Sequence, residues 1–185
     1  MLIFGKKLNF RPLLIGLLFC LGIGSLAAIM LQLMNIHPII WAILAGIIIF
    51  LLITLVYYPT VLQDEFNYFT ISKQEITYYN YGNRFNKFKL LLLGKNAPVK
   101  TIKLTDIKSA HLVGKNEIKK MAFTVPFDML QVYFSGIISM LMNPFGLELV
   151  LNNGQKIYLS LARDRIYDPE KTYNQANTAI NMIKK

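Results

Sequence analysis

The chain has 185 residues, 54% of them apolar, and a mean hydropathy of +0.41. Lys and Arg number 20 against 10 Asp and Glu, so the net charge is +10 although only 16% of residues are charged. An average soluble domain has about 25% charged residues, disorder requires low hydrophobicity, and the single Cys20 has no partner for a disulfide scaffold. What remains is a membrane protein, or a small domain with a membrane anchor.

Residues 1–11 form a short basic segment carrying Lys6, Lys7 and Arg11. Residues 12–34 and 39–58 then contain no charged side chain, and each meets the roughly 20 apolar residues that a bilayer core requires. Only Asn35, Ile36, His37 and Pro38 separate them, so the two runs predict a helical transmembrane hairpin over 12–58. Pro38 suits a first helical turn, where its missing N–H costs nothing. Trp41 lies near the loop, and Tyr57 and Tyr58 at the other end, positions typical of interfacial aromatics. The loop has no Lys or Arg, whereas seventeen basic residues follow the second run. The bias of cations toward the inside predicts both termini in the cytoplasm of a two-span protein of the cell membrane. A cleavable signal peptide is disfavoured, because the first run exceeds a 7–15-residue apolar core and a second run follows at once.

Gly16, Cys20, Gly24 and Ala28 recur every four residues in the first run, and Ala42 and Gly46 share that spacing in the second. Small residues let helices approach closely where lipid offers no hydrophobic drive. They would close the hairpin on itself or pair it with a second copy. Neither run holds an ionisable residue at depth, as a proton or ion pathway would need.

Residues 60–185 are enough for one small cytoplasmic domain. Aromatic and branched residues at 66–71 and 76–81, around a polar turn at 72–75, predict a first strand pair. Further strands are expected at 99–104, 107–113 and 118–125. The clearest hairpin pairs 147–151 with 156–161 around Asn152, Asn153 and Gly154, where Asn-Gly supplies the positive φ angles of a tight turn. From Asp168 the period changes. An N-cap, Pro169 and Glu170 open a helix over 168–185, with Tyr173, Ala176, Ile180 and Ile183 at helical spacing. The expected fold is a membrane α-helical hairpin plus a mainly-β barrel or sandwich capped by a C-terminal helix.

This order of parts resembles the membrane-anchored bacterial PH-like proteins. The likeness is carried by the strand pair Phe69, Thr70, Ile71, Ser72 and Ile76, Thr77, Tyr78, and by Ile102 to Ile107. The late hairpin around Asn152, Asn153, Gly154, Gln155, Lys156 and Ile157 and the closing helix extend it. It implies a PH-like cytoplasmic domain in a bacterial membrane protein. Function carried across such a fold is analogy only.

Cations are concentrated at 84–120: Arg84, Lys87, Lys89, Lys95, Lys100, Lys103, Lys108, Lys115, Lys119 and Lys120, opposed only by Asp106 and Glu117. Such a face beside the negative inner leaflet predicts binding to anionic headgroups. The plainer readings are a solvated face or the ordinary inside excess of cations. Nucleic acid is set aside, since no RNP or zinc motif accompanies the charge. Phe85, Phe88 and four leucines at 90–93 interrupt these cations, as in an interfacial segment, or in a strand or helix packed under the β domain.

Between Asp128 and Asn143 runs an uncharged stretch too short to span a bilayer. Met129, Val132, Tyr133, Ile137 and Met140 fall at helical spacing there, which suits core packing, an interfacial element or an adaptable partner surface.

Catalytic signatures are lacking: no GxSxG, P-loop, HExxH or CxxC pattern occurs. His37 precedes a proline in the loop and His111 lies in an expected strand, so neither suggests a metal site. Arg163, Asp164, Arg165 and Asp168 form the densest charged group, in keeping with a polar turn before a helix. The expectation is therefore no enzyme, no cofactor and no metal. The chain reads as a non-catalytic binding or scaffold module at the cytoplasmic face of a bacterial cell membrane, with anionic lipid and a protein partner as ligands. The alternative is an accessory subunit of a larger membrane transport or envelope-assembly complex, docked through the small-residue stripes.

Overall fold

A computed structural model of the chain describes residues 1–34, 36–114 and 128–184, and only the backbone of 128–134. It divides into two units. The helical unit comprises Leu8–Thr60 and Tyr81–Ala97; the sheet unit comprises Met1–Lys7, Val61–Asn80 and Pro98–Lys185.

In the helical unit, α1 spans Arg11–Leu33 and α2 spans Pro38–Leu51, each with proline in its first turn. The second helix continues through a π-helical segment, Leu52–Tyr57, into α3, Tyr58–Glu65. Two helices, Arg11–Leu33 and Pro38–Glu65, are thus long and apolar enough to cross a membrane, their most apolar 18-residue windows having mean hydropathies of 2.5 and 3.1. At ~1.5 Å per residue α1 is about 34 Å long, matching a hydrocarbon core of roughly 30 Å.

Small residues set how closely these helices pack. A Cβ on Gly24 would lie 3.2 Å from the carbonyl oxygen of Ala42, and one on Gly46 only 2.9 Å from that of Cys20. Gly16 packs on Phe50 and Thr54. Thr54 is buried, yet its hydroxyl is satisfied within its own helix by donating to the Phe50 carbonyl at 2.7 Å. The stripe of Gly16, Cys20 and Gly24 is therefore filled by the facing helix; Ala28 is half-buried.

The sheet unit contains two antiparallel sheets. One has the order β1 (Leu2–Phe4), β2 (Phe69–Ile71), β3 (Glu75–Tyr78) and β4 (Lys100–Lys103). The other has β5 (Ile107–Gly114), β6 (Phe145–Leu151) and β7 (Lys156–Ser160). Both meet a single core. Phe4, Phe69, Ile71 and Ile76 come from the first sheet, and Ala110, Phe145, Leu147, Leu149 and Leu159 from the second. The same core takes Ala176, Ala179 and Ile183 from α7, Pro169–Ile183, so the C-terminal helix closes it. Strand β6 shows why the chain extends here: Phe145, Leu147, Leu149 and Leu151 alternate inward at the two-residue period of a strand. The turn before β7 uses Gly154 at φ 82°, and Asn153 accepts the Gln155 N–H.

Several expectations change. The N-terminal residues are not merely a basic tail, because Leu2–Phe4 pair with β2 and Phe4 stacks on Phe69 at 4.6 Å. Strand β2 begins at Phe69 rather than residue 66, since the Phe66 N–H still closes the last turn of α3 on Leu62. Residues 162–167 are not a polar turn but a helix, α6, Ala162–Tyr167. Among the described residues the two sheets do not join into a closed barrel. The strand expected at 118–125 lies outside the described residues.

Candidate membrane-facing site

The basic residues do not share one element. Arg84, Lys87 and Lys89 lie on α4, Arg84–Leu93, and Lys95 just beyond it, all in the helical unit. In the sheet unit, Lys100 and Lys103 are three residues apart on β4 and so project to opposite faces of the strand. Lys108 is the extra residue of a bulge between β5 and β6, which turns it outward and exposed. Lys115, Lys119 and Lys120 lie outside the described residues.

The α4 group is the one the structure organises. Asn83 caps the helix by accepting the Asn86 N–H at 2.9 Å. Gly94 ends it at φ 50°, a conformation that favours glycine. The same glycine is closed on by Phe10, whose Cδ1 would be 2.7 Å from an added Cβ. Since Phe10 precedes α1, this contact pins the end of α4 to the start of the hairpin. The body of α4 packs on α1 and on the π-helical segment, burying Leu90 and Leu91. The start of α1 and the π-helical segment both lie at the hairpin end away from His37.

The opposite face of α4 carries Phe85, Lys89 and Leu92 at steps of four and three residues, one stripe of a helix. Phe85 is 72% exposed and Leu92 50%. The helical unit contains Arg11, Arg84, Lys87, Lys89 and Lys95 and no Asp or Glu at all. Residue types alone suit an interfacial segment, a strand or a helix here. The signals that decide it are the Asn83 cap and the Gly94 stop around straight-chain residues.

Of the uncharged stretch, Ile137 and Met140 are buried on α5, Asp128–Met142. The side chains of Met129, Val132 and Tyr133 lie outside the described residues. Of the charged group before α7, Arg163, Asp164 and Asp168 line an open polar cleft of about 290 Å³ with Gly5, Tyr167 and Lys171. Its acids already have structural partners. Asp164 accepts the Gly5 N–H at 2.7 Å, and Asp168 caps α7 by accepting the Lys171 N–H. Burial pushes the Asp164 carboxyl up, against the Gly5 hydrogen bond, Arg163 and Lys171, which pull it down. Arg165 is buried with its guanidinium 4.4 Å from the centre of the Phe145 ring.

The margin of β7 is covered by side chains. Gln63 donates to the Tyr158 carbonyl, Asn67 to the Ser160 carbonyl, and the Ser160 hydroxyl to Asp64 at 2.6 Å. Burial first, and the Asp64 carboxylate second, push the Tyr158 phenol up to about 12. It therefore stays neutral across the physiological range. No protein-family model, curated protein or solved structure matches this chain.

Proposed function

We propose that the protein is a non-catalytic binding or scaffold module, anchored by its helical hairpin in a bacterial cell membrane and presenting a PH-like sheet domain in the cytoplasm. One observation carries the reading. Only 6% and 11% of the most apolar windows of the two long helices are buried within the chain. Core helices of a soluble protein bury such faces, and an exposed apolar area of this extent requires another apolar phase. Here lipid supplies it.

Cation placement supports the orientation. Of the five cations of the helical unit, Arg11 opens α1, Arg84, Lys87 and Lys89 lie on α4 and Lys95 just beyond it, and the His37 loop has none. Each Lys or Arg near a negative inner leaflet contributes about 1 kcal/mol of attraction. The PH-like assignment is supported by the two antiparallel sheets over one core with a closing helix. A binding rather than catalytic role is supported by the engagement of Asp164 and Asp168 in backbone hydrogen bonds.

Topology tests this directly. In a Cys20→Ser background, Ile36→Cys and Asn153→Cys are treated in intact cells with a membrane-impermeant maleimide. Ile36→Cys is expected to label from outside and Asn153→Cys only after the membrane is permeabilised. Labelling of Asn153→Cys in intact cells would overturn the proposal.

A further inference from the structure

We infer that α4 is a third membrane contact, lying in the plane of the leaflet with Phe85 and Leu92 at the acyl–headgroup boundary and its cations on lipid phosphates. The inference rests on the reading of the hairpin as membrane-spanning and goes beyond it, since α4 is too short and too basic to span.

Three observations fix lipid as the occupant of this face. First, α4 is seated on the hairpin itself: Gly94 closes against Phe10 at the start of α1, and Leu90 and Leu91 are buried on the side facing α1 and the π-helical segment. The outward stripe of α4 is thereby continuous with the lipid-facing surface of the hairpin end. Second, that stripe inverts the pattern of a soluble helix. It turns Phe85 and Leu92 outward, with Lys89 between them, while two other leucines are already buried beneath. Amphipathic helices with aromatic and leucine side chains flanked by Lys and Arg bury their apolar side about 5–10 Å into the headgroup region. Third, the unit has no carboxylate to neutralise Arg84, Lys87, Lys89 and Lys95. Their stems can lie along the apolar boundary while their charged heads reach phosphate oxygens. Complementary charge is supplied by the leaflet, not by the unit.

The experiment places a nitroxide on single cysteines of the full chain, in the Cys20→Ser background, at Phe85, Leu92, Leu18 and Asn153. The chain is reconstituted in vesicles of phosphatidylethanolamine with phosphatidylglycerol, and in parallel in pure phosphatidylcholine. Collision rates with oxygen and with a water-soluble nickel chelate report depth. Leu18, exposed about a third of the way along α1, is the lipid reference, and Asn153, in the β6–β7 turn, is the aqueous one.

The expected result is a severalfold higher oxygen-to-nickel ratio at Phe85 and Leu92 than at Asn153, below that of Leu18, and smaller in phosphatidylcholine. An aqueous ratio at Phe85 and Leu92 with a lipid ratio at Leu18 would overturn the inference and leave the hairpin reading intact. An aqueous ratio at Leu18 would overturn the hairpin reading, and this inference with it. Equal ratios in the two lipid mixtures would overturn the role given to the cations.

Discussion

The two units solve opposite problems with the same apolar residues. The sheet unit turns Phe69, Ile71, Ile76, Leu147, Leu149 and Leu161 inward until almost nothing of them is exposed, and it holds all ten acidic residues of the chain. The helical unit turns Leu18, Ile29, Ile40, Ile48 and their neighbours outward and holds no acid. One unit is stabilised in water by removing apolar area from it. The other is held by close helix approach through glycine and alanine, the packing that serves where lipid offers no hydrophobic drive, and leaves its apolar surface exposed. Composition alone averages these into a mildly hydrophobic chain, and only their segregation separates the two patterns.

The contrast can be broken hardest at Gly5, in the sheet unit. Its φ of 69° is in the left-handed region, and an added Cβ would collide with the side-chain oxygen and backbone of Asn67. Gly5→Val is expected to cost about 3 kcal/mol or more by combined strain and overpacking. Proteolysis of the full chain in detergent should then digest the sheet unit while leaving the hairpin intact. An unchanged digestion pattern would show that β1 contributes little to that unit.

Gly46 is the equivalent position in the helical unit. Gly46→Leu forces apart helices now in backbone contact with Cys20, at an expected cost of about 1–3 kcal/mol. In a Cys20→Ser background, disulfide trapping between cysteines introduced at Gly24 and Ala42, which face each other, should fall several-fold. Trapping as efficient as with glycine would mean that the small residues do not set the helix separation.

A smaller effect is expected at the helix closing the core. Asp168→Ala removes the acceptor for the Lys171 N–H, at about 1 kcal/mol. The melting temperature of the full chain in detergent should fall modestly, and Asp168→Asn should restore most of it.

The smallest effect depends on pH. Burial raises the Asp164 carboxyl above its ordinary 3.8, so the folded chain binds more protons than the unfolded one just above that value. The contribution of this group to stability is then greatest at low pH and falls as pH rises through the interval. Asp164→Asn keeps an oxygen acceptor for Gly5 and abolishes the titration. Melting temperature against pH should be flatter for the variant on the acid side, and an identical slope would remove Asp164 from the account.

Much of this division is legible in the residues. The two charge-free runs announce the long helices by length, and Asn153-Gly154 announces the β6–β7 turn because few other pairs tolerate its backbone angles. Pro169 after Asp168 marks the start of α7 for the same local reason. Strand β1 is not legible, because three apolar residues ahead of Gly5 carry no periodicity and depend on the β2 edge for pairing. α6 is hidden because Arg163, Asp164 and Arg165 look like a solvated turn, whereas Arg165 is buried over Phe145 and Asp164 reaches Gly5. The basic segment is legible as charge but not as a face. Charge density along a chain says nothing of the face each side chain takes, and alternation on β4 parts Lys100 from Lys103.

Alkaline carbonate extraction of cell membranes, followed by attempted release of the full chain without detergent, bears most directly on the contrast between the units. The chain is expected to stay wholly in the membrane pellet and to become monodisperse only when detergent or lipid covers α1 and α2. A monodisperse chain in detergent-free buffer would contradict it, since the outward leucines and isoleucines of the hairpin would then need no second solvent.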